Sequence, residues 1–135
     1  MTRALVCASA ALLLAGPASA SDETVRQSFR AGLAATHPGE FHARARLVTR
    51  TLERLRHDHA TTATGREARR LAIGGYLWAL WGLRAQIAFL EHDSGEVAMA
   101  ARDAAHADLC WIRAAKRLRA AGKALGVPVG LVNGF

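Results

Sequence analysis

From residue 22 onward, apolar positions recur at helical spacing in four stretches, separated by short polar breaks that carry glycine, proline or threonine. In the first, about 22–36, Val25, Phe29, Leu33 and Gly32 form one stripe. The acidic run Ser21-Asp22-Glu23 suits a helix N-terminus, and His37-Pro38-Gly39 closes the segment. In the second, about 40–59, Phe41, Ala45, Val48, Leu52 and Leu55 alternate spacings of four and three. The remaining face reads as basic and solvated, with Arg44, Arg46, Arg50, Arg54 and Arg56. Residues 60–65, rich in threonine, form the expected loop.

The third stretch, about 66–92, contains thirteen consecutive uncharged residues from Leu71 to Leu83. That run is short of the ~20 residues a membrane span needs, and Arg84 and Gln86 interrupt its continuation. It therefore reads as a buried central helix. Ala72, Gly75, Ala79, Gly82 and Gln86 make a small-residue stripe beside a bulky face of Tyr76, Leu77, Leu80, Leu83, Ile87 and Leu90. A glycine inside a helix costs roughly 0.5–1 kcal/mol relative to alanine. Gly74, Gly75 and Gly82 accordingly predict a close backbone approach, and the alanine-rich fourth stretch, about 94–125, is the partner. Asp93 and Glu96 have capping-box spacing, while Gly126 and Pro128 end the helix. The Gly95, Ala100, Ala104 and Ala107 spacing is similar to the turn and second helix of one tetratricopeptide repeat. Such solenoids need about three copies and no second one follows, so the likeness assigns no family.

Ahead of these helices, MTRALVCASAALLLAGPASA reads as a secretory signal peptide. Arg3 is its basic start, Ala4 to Ala15 its apolar centre and Ala18-Ser19-Ala20 its cleavage site. Export to the periplasm or the extracellular space follows as an expectation. It changes the meaning of the net charge of +7, to which the leader contributes only Arg3. An exported basic protein meets anionic cell-envelope components and acidic protein partners rather than nucleic acid. Cleavage also removes Cys7, leaving Cys110 as the single mature cysteine and excluding an intramolecular disulfide.

Three sets of residues are candidates for chemistry. Met99, Asp103, His106 and Cys110 follow one helical face, a donor set suited to a zinc, copper or haem site; alternatively, His106 would activate Cys110 as a nucleophile. The simpler reading is a solvated stripe with one half-buried cysteine, and no CxxCH motif attaches haem covalently. Trp78 and Trp81, with Tyr76 nearby, would wall an apolar pocket. Arg113, Lys116, Arg117, Arg119 and Lys123 make the last helix the most basic segment, fitted to an anionic surface or an acidic partner. The tail 127–135 is apolar and expected to fold back over the helices.

The sequence thus points to a signal peptide (1–20), a small all-α antiparallel up-down four-helix bundle (21–126) and an apolar tail. No motif is specific for catalysis. The leading expectation is an exported, non-catalytic binding module without a cofactor, with peripheral membrane contact as one form of recognition. Trp78, Trp81, Arg113, Lys116, Arg117 and Lys123 would form its contact surface, and a metal or haem protein built on His106 and Cys110 is the alternative.

Overall fold

A computed structural model of the chain describes residues 22–132, so the signal-peptide reading and the last three tail residues lie outside the described residues. The described part is all-helical: α1 (Glu23–Leu33), a short 3-10 turn (Ala34–Thr36), α2 (Phe41–His57), α3 (Ala63–Glu91) and α4 (Val97–Leu125). None of these helices is long and apolar enough to cross a membrane.

Local capping chemistry sets the boundaries. Glu40 caps α2, its carboxylate accepting from the backbone N–H groups of His42 and Ala43 at 2.8 and 2.6 Å. That placement holds the Glu40 carboxyl below its ordinary pKa. Thr62 caps α3 by accepting from the Gly65 N–H at 2.8 Å, and this starts the helix at Ala63, inside the segment expected as loop. The last helix instead begins at Val97, three residues later than its spacing suggested, because residues 93–96 make a turn closed by the Glu96 N–H on the Asp93 carbonyl. Half of the expected capping box survives there, with the Glu96 carboxylate accepting from the Asp93 N–H at 3.2 Å. Gly126, at φ 66°, closes α4, and the Val127 N–H returns to the Gly122 carbonyl at 2.8 Å.

The two long helices form the centre. A Cβ on Gly75 would meet Leu118 at 2.7 Å, and one on Gly82 would meet Trp111 at 2.9 Å. Residue numbers rise along α3 as they fall along α4, so the pair runs antiparallel. The expected small-residue stripe is this contact: Ala72, Gly75, Ala79, Gly82 and Gln86 are all buried. Gln86 also accepts from the Trp111 indole N–H at 3.2 Å, satisfying a polar group that burial would otherwise penalise.

The short helices α1 and α2 cover one side of this hairpin. Tyr76, fully buried, donates its hydroxyl to the Phe29 carbonyl at 2.6 Å, and burial raises its pKa. Gly32 leaves the space that the Tyr76 ring and Thr51 occupy. Val48, Leu52 and Leu55 of α2 complete the core. Asp22, expected only as a favourable charge at a helix start, ties α1 to the beginning of α3. It is buried and accepts from the Thr61 N–H at 3.1 Å and from the Thr62 hydroxyl.

Arg44 departs from the expected solvated face. It is buried, donates Nε–H to the Ala35 carbonyl at 2.8 Å and lies with its guanidinium 5.3 Å from the Trp111 ring centre and 5.7 Å from that of Phe41. Arg44, Val48, Thr51 and Leu55 share the core-facing spacing, and a long arginine can reach from it to a carbonyl and two aromatic rings. Leu90, placed on the buried bulky face by its spacing, is instead 63% exposed, on the rim of an open cleft that it shares with Gly39, Phe41 and Ile87. The tail does fold back as far as it is described: Val127 is buried, and Val129 and Val132 pack against the core.

Candidate functional site

The side of the α3/α4 hairpin away from α1 and α2 carries the residues that sequence reading had assigned to two separate sets. Two positions apart on a helix turn a side chain by about 200°. Tyr76 therefore enters the core while Trp78 emerges on the opposite side, so the expected grouping of Tyr76 with the tryptophans does not form. Trp78 and Trp81 do meet, edge to face, with ring centres 4.7 Å apart and an interplanar angle of 88°.

Two cations of α4 lie over Trp78. The Arg113 guanidinium is 4.5 Å from the Trp78 ring centre, and that of Arg117 is 5.8 Å from it. Gly74 lets Arg117 lie flat against α3, since a Cβ there would stand 3.1 Å from the Arg117 Cδ. Trp78, Arg113 and Arg117, together with Arg70, Leu71, Lys116 and Ala120, line an open groove of about 490 Å³; Trp81, expected in the same wall, is not among its lining residues. Arg70 is paired with Glu67 through two contacts of 2.6 and 2.8 Å. Among the described residues, Arg113, Lys116 and Arg117 have no carboxylate within 4.0 Å. Their charge is left facing solvent. Lys123, expected on the same surface, is exposed but does not line the groove.

Stacking on an indole face fixes a guanidinium's plane while leaving its N–H edge free, a geometry suited to a carboxylate or phosphate. Sequence reading missed Arg70, Leu71 and Ala120 as parts of this wall. They fall eight and seven residues before Trp78 and three after Arg117, so helical register alone would have found them once the hairpin pairing was known.

The second expected constellation divides. Cys110 Sγ and His106 Nε2 are 3.6 Å apart, with Cys110 fully buried and His106 exposed. Burial raises the Cys110 thiol pKa, with Arg113 opposing in part. Asp103 turns away from that pair and accepts from Nε2 of His92 at 2.6 Å; Nδ1 of the same ring meets Glu96 at 2.9 Å. Met99 is half-exposed near the end of the hairpin. Among the described residues, no three His, Cys, Asp or Glu side chains converge as a metal-holding group.

The chain matches no protein-family model, no curated protein and no solved structure. The functional reading therefore rests on the groove itself.

Proposed function

We propose that this chain is an exported, non-catalytic helical binding module, an up-and-down four-helix bundle that recognises an anionic ligand or an acidic partner through the α3/α4 groove. The observation that carries the reading is the Arg113 guanidinium held 4.5 Å over Trp78 in a groove whose Lys116 and Arg117 also lack carboxylate partners among the described residues. Aligned cations without counter-charges raise the local concentration of anions, and the indole wall adds an apolar contact.

Calorimetric titration with inorganic phosphate, a hexaglutamate peptide and dodecyl phosphate tests the recognition. At least one anion binds the native protein and loses most of its affinity in R113E/R117E, while the charge-matched R119E/K123E, outside the groove, keeps it. Equal affinity in the two double variants, both folded by circular dichroism, overturns the reading. Export is tested separately by N-terminal sequencing of protein from the native cell envelope, where Ser21 is the expected first residue; a Met1 start in that fraction overturns export by cleavage.

A further inference from the structure

The lining of the groove ends at Trp78 and Arg113, and an apolar strip continues from there along the hairpin surface. Trp78, Trp81, Ala85 and Phe89 fall three, four and four residues apart, so they share one face of α3 leading from the cationic end toward the tip of the hairpin. Trp81 is 41% exposed and Phe89 39%, although both are large and apolar. On α4, Arg113 and His106 and then Met99, 50% exposed, follow each other at seven-residue steps along the neighbouring face. From Trp78 to Phe89 the track runs about 16 Å at the rise of an α-helix. Three cations thus gather around Trp78, and Trp81 and Phe89 continue along α3 as exposed aromatic groups, while on α4 the exposed Arg102 shares the face of His106 and Met99.

We propose that the groove binds a single-chain anionic amphiphile, its phosphate- or carboxylate-type headgroup held by Arg113, Lys116 and Arg117 and its alkyl chain laid over Trp81 and Phe89 toward Met99. The inference rests on the anion-binding reading above and specifies the class of ligand. Charge complementarity fixes the headgroup end. An inorganic anion would leave the apolar track in water, and an acidic peptide would set charge against it; an alkyl chain covers it. The α3 side of the track, Trp81, Ala85 and Phe89, is apolar beside a cationic end, which matches the two-part chemistry of an amphiphile, and exposed apolar arrays of this kind mark sites of contact.

The test is a titration of tryptophan fluorescence with dodecyl phosphate below its micellar concentration, alongside octyl phosphate, inorganic phosphate and the uncharged dodecyl maltoside. Each fully buried methylene raises affinity by about fourfold. On a half-open track, dodecyl phosphate therefore binds one to one and at least about tenfold more tightly than octyl phosphate. R113E/R117E, or the milder Arg113→Gln, weakens the phosphates far more than the maltoside. The pair W81S/F89S removes the chain-length preference while inorganic phosphate binding stays unchanged.

If phosphate and dodecyl phosphate bind equally, both through the arginines, the amphiphile inference falls and the anion reading stands. When no probe depends on the arginines, both fall. Hexaglutamate binding more tightly than dodecyl phosphate would replace the amphiphile with an acidic partner. Sedimentation with phosphatidylcholine vesicles, with and without phosphatidic acid, separates the sources of headgroup. Monomer binding without sedimentation supports the free single-chain amphiphile, whereas vesicle binding displaced by dodecyl phosphate overturns it in favour of a bilayer surface.

Discussion

His92 donates Nε2–H to Asp103 at 2.6 Å across the turn that joins the two long helices, while its Nδ1 meets Glu96 at 2.9 Å. Both partners are carboxylates, so the contacts favour the ring carrying hydrogen on both nitrogens, the imidazolium form. The hydrogen bond to Asp103, then that to Glu96, raises the His92 pKa above its ordinary value.

A raised folded-state pKa gives a contribution fully present below the ordinary imidazole pKa of about 6.5 and lost as pH rises through the raised value. Thermal melts are expected to show declining stability through that window, with the decline flattened in His92→Gln and in Asp103→Asn. A histidine NMR titration should place His92 higher in the native protein than in Asp103→Asn. Identical titrations would mean that the clip does not hold in solution.

Gly75 and Gly74 are neighbours with opposite expected responses to alanine. A Cβ on Gly75 meets Leu118 side-chain atoms at 2.7 and 2.8 Å and the Leu118 backbone nitrogen at 3.2 Å, whereas one on Gly74 meets only the flexible Arg117 stem at 3.1 Å. Overpacking costs about 1–3 kcal/mol, and the gain in helix propensity is about 1 kcal/mol. In urea titrations Gly75→Ala is therefore expected to lose up to about 2 kcal/mol, while Gly74→Ala is neutral or stabilising. Equal effects would mean that the two backbones do not approach as closely as described.

Removing the Tyr76 hydroxyl removes its 2.6 Å bond to the Phe29 carbonyl in the core. A buried hydrogen bond of this kind contributes about 0.5–1.5 kcal/mol. Tyr76→Phe is accordingly expected to lower the denaturant midpoint without changing its slope, because the apolar packing is retained. An unchanged midpoint would remove this bond as the tie between α1 and α3.

Cys110 is fully buried, and burial is the larger influence on its raised thiol pKa. Alkylation by iodoacetamide at neutral pH is expected to be much slower in the native protein than in urea, since thiolate is scarce and access requires opening of the helix. Rapid native alkylation, slowed by His106→Ala, would instead support the nucleophilic thiol that the His106 and Cys110 spacing raised.

Periodicity made much of the fold readable. Val25, Phe29, Val48, Leu52 and Leu55 occupy the core that their spacing implied, and the glycines of α3 meet α4. Each of those inferences concerns one helix face and so depends only on neighbours along the chain. The groove was less legible, because Trp78 and Arg113 lie thirty-five positions apart on different helices. Sequence reading placed both on contact surfaces but had no reason to stack one on the other. Asp103 was misgrouped for the same reason: its spacing aligned it with His106 and Cys110, but a closer partner comes from the end of the preceding helix.

The sequence by itself determined four helical stretches, their core stripes, the close packing of the last two and the excess of positive charge, because periodicity, side-chain volume and charge are local properties. Only the tertiary structure decided that Arg44 enters the core, that His92 takes Asp103, and that Arg113 and Arg117 lie over Trp78. Those choices depend on helix register and on what covers each face. A long polar side chain settles on whichever carbonyl, carboxylate or aromatic ring the packing of apolar residues brings within its reach.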